Sequence, residues 1–187
     1  MQKATFLWVT ASVIITAAVF ACNEKNNSGT SAASTDTNAV SKTDTGKKEV
    51  SYPYAMGYSS KFEFADPEKG KMVLDMWKDF DNNTLDNSKD KFADTVSLQF
   101  PGMKIRSTRD SAFSVTKSYR SLYNTVTSSV DVVMSVRSTD KKGDWVLVWG
   151  REMRTNKKNV TDTTEVHEVW GLNKEGKVEA IEQFVRH

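Results

Sequence analysis

The sequence predicts an α+β domain in which three helices pack against one face of a curved, mostly antiparallel sheet. Three observations carry this reading. Apolar residues recur at helical spacing in the first half of the domain. Four segments toward the end alternate apolar and polar residues, as strands with two different faces do. The loops joining those four are short and rich in Asn, Lys, Asp and Gly, the residues that hairpins need.

The elements follow in order. "DPEKGKMVLDMWKDFDNN" opens a helix: Asp66 is placed to cap, Pro67 suits the first helical position and Glu68 the positive end of the dipole. Met72, Val73, Met76, Trp77 and Phe80 then line one face. "TLDNSKDKFAD" predicts a short second helix contributing Leu85 and Phe92, and "TVSLQF" a strand that stops at Pro101-Gly102. A third helix is expected from a cap at Asp110 to about Ser128, with Ala112, Val115, Tyr119, Leu122 and Val126 on its apolar stripe and Phe113 and Tyr123 beside it. "VDVVMSVRS", "DWVLVWGREMR", "DTTEVHEVWGL" and "KVEAIEQFVRH" complete the count as a four-strand meander.

The domain is not the whole of the 187 residues. Residues 1–21 begin with a single lysine and run uncharged from Ala4, the pattern of a secretory signal. Its end, "VFAC", resembles the lipobox of bacterial lipoproteins, in which the chain is cut before the cysteine and the thiol is diacylated. Cys22 is the only cysteine present, so it has no disulfide partner within the chain. A lipidated Cys22 predicts attachment to a bacterial membrane, with the chain facing the periplasm or the cell exterior. Residues 22–50 hold no aromatic residue and cannot offset the entropy of ordering, which predicts a flexible tether with a reach of roughly 30 Å. The domain is expected over 51–187, with an aromatic arm at 51–65 lying against its surface and Lys61 to Phe64 extended. With 26 Lys+Arg against 24 Asp+Glu, the chain lacks the basic excess that a nucleic-acid partner requires.

The run "NNTLDNSKDKFADTVSLQFPG" and the closing "W-G-x-N-x-E-G-K-V" resemble the nuclear-transport-factor-2-like superfamily, which includes the SnoaL-like and ketosteroid-isomerase-like proteins. The resemblance covers essentially Pro67 to Phe184. It implies a cone with helices on the concave side of the sheet and an open-ended pocket for small hydrophobic molecules. It does not imply one chemistry, because function must be argued from the site. In ketosteroid isomerases the base is an aspartate just before the proline ending the first strand. Here that position is Phe100, which cannot take a proton. Fungal dehydratases of the superfamily use a histidine, and His167 is the single candidate, since His187 is the last residue.

His167 has two readings. With Glu165 two residues away, or Glu152 or Arg151 across the hairpin, it would titrate near neutrality and act as a base. Otherwise it is an inert strand histidine on a half-wet face. The sequence yields no catalytic set, and His167 is its single catalytic candidate. Trp77, Tyr119, Tyr123, Trp149, Arg151, His167 and Trp170 are the pocket candidates, with Arg151 suited to a ligand carboxylate and the tyrosines offering hydroxyls. No metal and no cofactor is expected: one usable histidine makes a histidine metal site improbable, and no dinucleotide or phosphate fingerprint is present. In "DWVLVWGREM", Trp145, Leu147 and Trp149 point one way and Val146 and Val148 the other, so both faces are apolar. One is expected under the helices. The other predicts cover by the arm or by a second subunit, a homodimer through the convex face, as is common in the superfamily. Three function classes follow: a lipid-anchored binding domain for a small apolar ligand or partner protein, a lyase or isomerase using His167, and a filled cone that serves only in assembly.

Overall fold

A computed structural model describes residues 50–186, and Ser51–His187 form one compact unit. The expected signal sequence, Cys22, nearly all of the expected tether and His187 lie outside the described residues. A three-residue strand β1 (Phe62–Phe64) leads into helix α1 (Pro67–Asn82). The Asp66 carboxylate accepts from Glu68 N at 3.0 Å, and Asn83 closes the helix in the left-handed region with φ 60. A 3-10 helix (Leu85–Lys91) follows. It is tied back to α1 by Thr84 Oγ1, Asn87 Nδ2 and Ser88 Oγ, all donating to the Asp79 carboxylate. Phe92 is not part of this helix but the first residue of β2 (Phe92–Phe100).

Pro101-Gly102 turns β2 into a strand the sequence reading did not separate, β3 (Met103–Thr108). Helix α2 (Arg109–Arg120) starts slightly earlier than expected and ends well short of Ser128. Its cap is Thr108, whose Oγ1 accepts from Ser111 N at 3.4 Å, and not Asp110. It stops at Arg120, and residues expected to continue it belong to β4 (Tyr123–Ser138). Two causes act together. "TVTSSV" is β-branched and hydroxyl-rich, which favours a strand over a helix. Arg120, 5% exposed, donates to Phe80 O at 2.7 Å, Asp81 O at 2.9 Å and Tyr123 O at 3.0 Å, pinning the end of α1 and the start of β4 to one guanidinium.

β4, β5 (Asp144–Asn156), β6 (Thr161–Leu172) and β7 (Val178–Arg186) form the antiparallel meander that the alternation predicts. The seven strands run in the order β1-β4-β5-β6-β7-β2-β3, and only the β7–β2 pair is parallel. A bulge in β4 between Val130 and Val132 lies opposite Gly150 and Trp149. A Cβ at Gly150 would come 2.3 Å from Ser129 O and 3.2 Å from the Trp77 ring, so only glycine fits where the sheet bends under α1.

The core sits between the concave face and the helices: Val146, Val148, Val166 and Val178 are fully buried with Val73 of α1 and Val96 of β2. Val146 and Val148 thus take the helix side. Trp145, Leu147 and Trp149 take the convex side, where each is only half-buried. The aromatic arm reaches one of them. Tyr58 packs edge-on against Trp145 at 5.7 Å, and Ser59 Oγ donates to Asp140 at 2.6 Å.

Candidate ligand-binding pocket

Inside the concave face a cavity of about 430 Å³ opens between α1, the 3-10 helix, α2 and the strands. Most of its wall is apolar: Met76, Trp77 and Phe80 from α1, Phe92, Leu98 and Phe100 from β2, Phe113 from α2, and Trp170 and Ile181 from the meander. Alternation places those that come from strands, because every second residue of a strand faces the same way. The same rule carries four charged or amide side chains into the cavity: Glu152 and Arg154 on β5, Glu168 on β6 and Gln183 on β7.

Glu168 is buried and fully bonded. Trp77 Nε1 and Trp170 Nε1 both donate to its Oε2, at 2.6 and 2.7 Å, and Gln183 Nε2 donates to Oε1 at 2.8 Å. Burial pushes its pKa up, and the three N–H donors pull it back. Such a donor set suits an ionised carboxylate, which only accepts.

Glu152 has the opposite character. It is 8% exposed, and no donor lies within hydrogen-bonding distance of its carboxylate among the described residues. Its nearest cation, Arg154 Nη1, stands 3.9 Å away. Burial above all, then the neighbouring Glu168 and Asp81 charges, push its pKa up to about 7, against the pull of Arg154. Arg154 has both terminal nitrogens engaged elsewhere, while its Nε is buried without a hydrogen-bond partner among the described residues. Its Nη1 donates to Tyr119 Oη at 2.7 Å, its Nη2 to Thr164 Oγ1 and to Asp162 at 3.4 Å, and its guanidinium lies 5.5 Å over the Tyr123 ring. Tyr123 Oη in turn donates to Tyr119 Oη at 3.3 Å. Burial and this bond push the Tyr119 phenol up to about 12.

The structure divides the sequence-predicted candidates between two faces. Trp77, Tyr119, Tyr123 and Trp170 line the cavity. Trp149, Arg151 and His167 do not: the strand phase that buries Val148, Glu152 and Glu168 turns these three to the convex side. His167 is exposed, opposite Trp149 in the sheet register, with the two rings 6.0 Å apart. Its proposed partners are engaged elsewhere. Glu165 pairs with Arg186 at 2.5 Å, Arg151 with Asp131 at 3.0 Å, and Glu152 faces the other side of the sheet. No carboxylate stands within 4.0 Å of the His167 imidazole among the described residues. Arg154 and Glu168 were missed as site residues and Glu152 was read only as a partner for His167, yet a signal existed. Each carboxylate falls in the buried phase of its strand, Glu152 with Val146 and Val148, Glu168 with Val166 and Trp170.

No protein-family model matches the chain, and no curated protein matches it in sequence. Solved structures do share its architecture. An NTF2-like protein of unknown function from Exiguobacterium sp. 255-15 superposes over 62% of this chain and 98% of its own, with a TM-score of 0.52 at 12% identity. The fold is nuclear-transport-factor-2-like. A putative SnoaL-like polyketide cyclase from Jannaschia sp. CCS1 shares this fold with a TM-score of 0.53 at 11% identity, covering 66% of this chain and 90% of that one. AusH from Aspergillus nidulans does so with 0.53 at 16% identity, over 66% and 87%. Identities this low carry the nuclear-transport-factor-2-like fold across and leave the site to its own residues.

Proposed function

We propose that the domain binds a small, largely apolar molecule inside its cone. The observation that carries this is the cavity of about 430 Å³, walled by aromatic and aliphatic side chains with a few polar groups set among them. Its size and lining are those of small-molecule sites. A cone that served only in assembly would be filled by its own side chains. Native mass spectrometry of the Ser51–His187 unit should find a co-purifying mass that is lost on mild denaturation. Ile181→Trp, which fills the cavity, should prevent its capture. A fragment that carries no such mass and binds no apolar probe would refute the reading.

Residues 1–21 and Cys22 support placing this domain at a bacterial cell envelope on a lipid anchor, facing the periplasm or the exterior. Mass spectrometry of membrane-extracted protein should find acylated Cys22 at the mature N-terminus, and Cys22→Ala should abolish processing. The half-buried Trp145, Leu147 and Trp149 support a homodimer through the convex face.

A second reading, a lyase or isomerase of the SnoaL-like type, draws support from Glu152. A carboxyl in a cavity with a pKa near the working pH can accept and return a proton. In this reading His167 has no role. Turnover of the co-purifying molecule that disappears in Glu152→Gln and persists in His167→Ala would support it.

A further inference from the structure

The cavity holds a charge imbalance that its own residues do not correct. Two carboxylates, Glu152 and Glu168, face one guanidinium, and that guanidinium is shared with Asp162 outside the cluster. Glu168 is satisfied by three N–H donors. Glu152 receives none among the described residues, although it is only 8% exposed and lines the cavity. A buried acceptor in this position is costly unless a donor reaches it, and a buried carboxylate needs a cation as well.

We infer that the molecule held in the pocket is an apolar amine, whose ammonium group pairs with the Glu152 carboxylate while the aromatic walls enclose its hydrocarbon body. This rests on the pocket-binding reading above and deepens it by naming the ligand class. An ammonium supplies both missing things, N–H donors and a positive charge. A hydroxyl would supply only the donor. An anion would meet two carboxylates, and Arg154, with Nη1 and Nη2 already bonded to Tyr119 and Thr164, would offer it only the buried Nε. Trp77, Phe80, Phe113 and Trp170 suit the task, since aromatic faces attract cations and their bulk excludes water.

Proton linkage follows from the same arrangement. The charged and titratable groups around Glu152 are Asp81 from α1, Tyr119 from α2, Tyr123 from β4, Arg154 on its own strand and Glu168 from β6. Asp81 is bonded to Ser128 N at 3.1 Å and Ser128 Oγ at 2.8 Å. With its pKa at about 7 in the empty pocket, Glu152 carries its proton about half of the time at neutral pH. An incoming ammonium favours the ionised form and expels that proton.

The test is titration calorimetry on the Ser51–His187 unit with naphthylmethylamine, naphthylmethanol and naphthoate, bodies of one shape with three different head groups. The amine should bind at least tenfold more tightly than the alcohol, and naphthoate most weakly. Run near pH 7 in two buffers of different ionisation enthalpy, amine binding should release roughly half a proton. Between about pH 8 and about pH 6 its affinity should fall roughly tenfold as Glu152 protonates, while the ammonium keeps its charge. Glu152→Gln should weaken the amine at least tenfold, abolish the proton release and leave the alcohol within about threefold. The probe ranking and proton release of the unmutated domain decide the matter even if the variant misfolds. Equal binding of amine and alcohol, or tighter binding of naphthoate, would overturn the amine inference and leave the pocket reading standing. Failure of all three probes, with no co-purifying mass, would overturn both.

Discussion

Glu152→Gln also makes a prediction about stability that needs no ligand. The side chain keeps its shape and loses its charge. In the folded protein Glu152 titrates at about 7, against 4.5 for a free glutamate, chiefly because burial disfavours the charged form. The folded state therefore holds this proton over a range in which the unfolded chain has lost it. Stability falls as pH rises wherever the folded state binds more protons. The penalty is absent below about 4.5 and complete above about 7. At roughly 1.4 kcal/mol per tenfold change in proton affinity, it reaches about 3 kcal/mol. Urea unfolding, followed through the buried Trp77 and Trp170, reads it directly. The variant should match the natural protein near pH 5 and exceed it by up to about 3 kcal/mol near pH 8. Asp79, Asp140 and Asp144 are held below the usual carboxylate range by their hydrogen bonds, so they act below this window and leave the comparison clean. Parallel stability curves for the two proteins between those pH values would refute the argument that Glu152 is an uncompensated buried acid.

Trp77→Phe removes one of the three donors to Glu168 and should cost about 1–3 kcal/mol at neutral pH, measured by the same urea titration. On β5, neighbouring residues should behave as opposites. Val148→Asp places an unpaired charge in the core, costs roughly 3–5 kcal/mol and should leave the domain unfolded. Leu147→Asp should fold normally and sediment as a monomer, whereas the unaltered domain, if the proposed convex-face dimer forms, should sediment at twice that mass. An unaltered domain that is monomeric at high concentration would end the convex-face proposal. His167→Ala, on an exposed position with one ring contact, should change stability by less than about 0.5 kcal/mol in thermal unfolding.

Local pattern was enough to reveal α1, whose cap, proline and apolar stripe lie within a few residues of one another, and the four strands of the meander, whose period of two is unambiguous. It was not enough for β3 and α2. "MKIRST" is too short to announce itself as a strand, and the end of α2 is decided by Arg120 reaching back to carbonyls about forty residues earlier on α1. The site divides along the same line. Alternation establishes that Val146, Val148 and Glu152 share one face of β5, and that Trp145, Trp149 and Arg151 share the other. Both faces carry large apolar side chains, so hydrophobicity alone does not say which face meets the helices. That choice belongs to the tertiary structure: α1 lies over Gly150, where the missing Cβ lets the Trp77 ring approach the sheet. Once that contact forms, a period of exactly two residues sends Glu152 and Glu168 inward and His167 out, although all three look alike as polar residues within apolar strands. The sequence by itself determined the fold class and the two faces of each strand, because both depend on neighbours along the chain. Only the tertiary structure decided which face became the pocket, because that depends on a helix packing against the sheet across a distance no local pattern records.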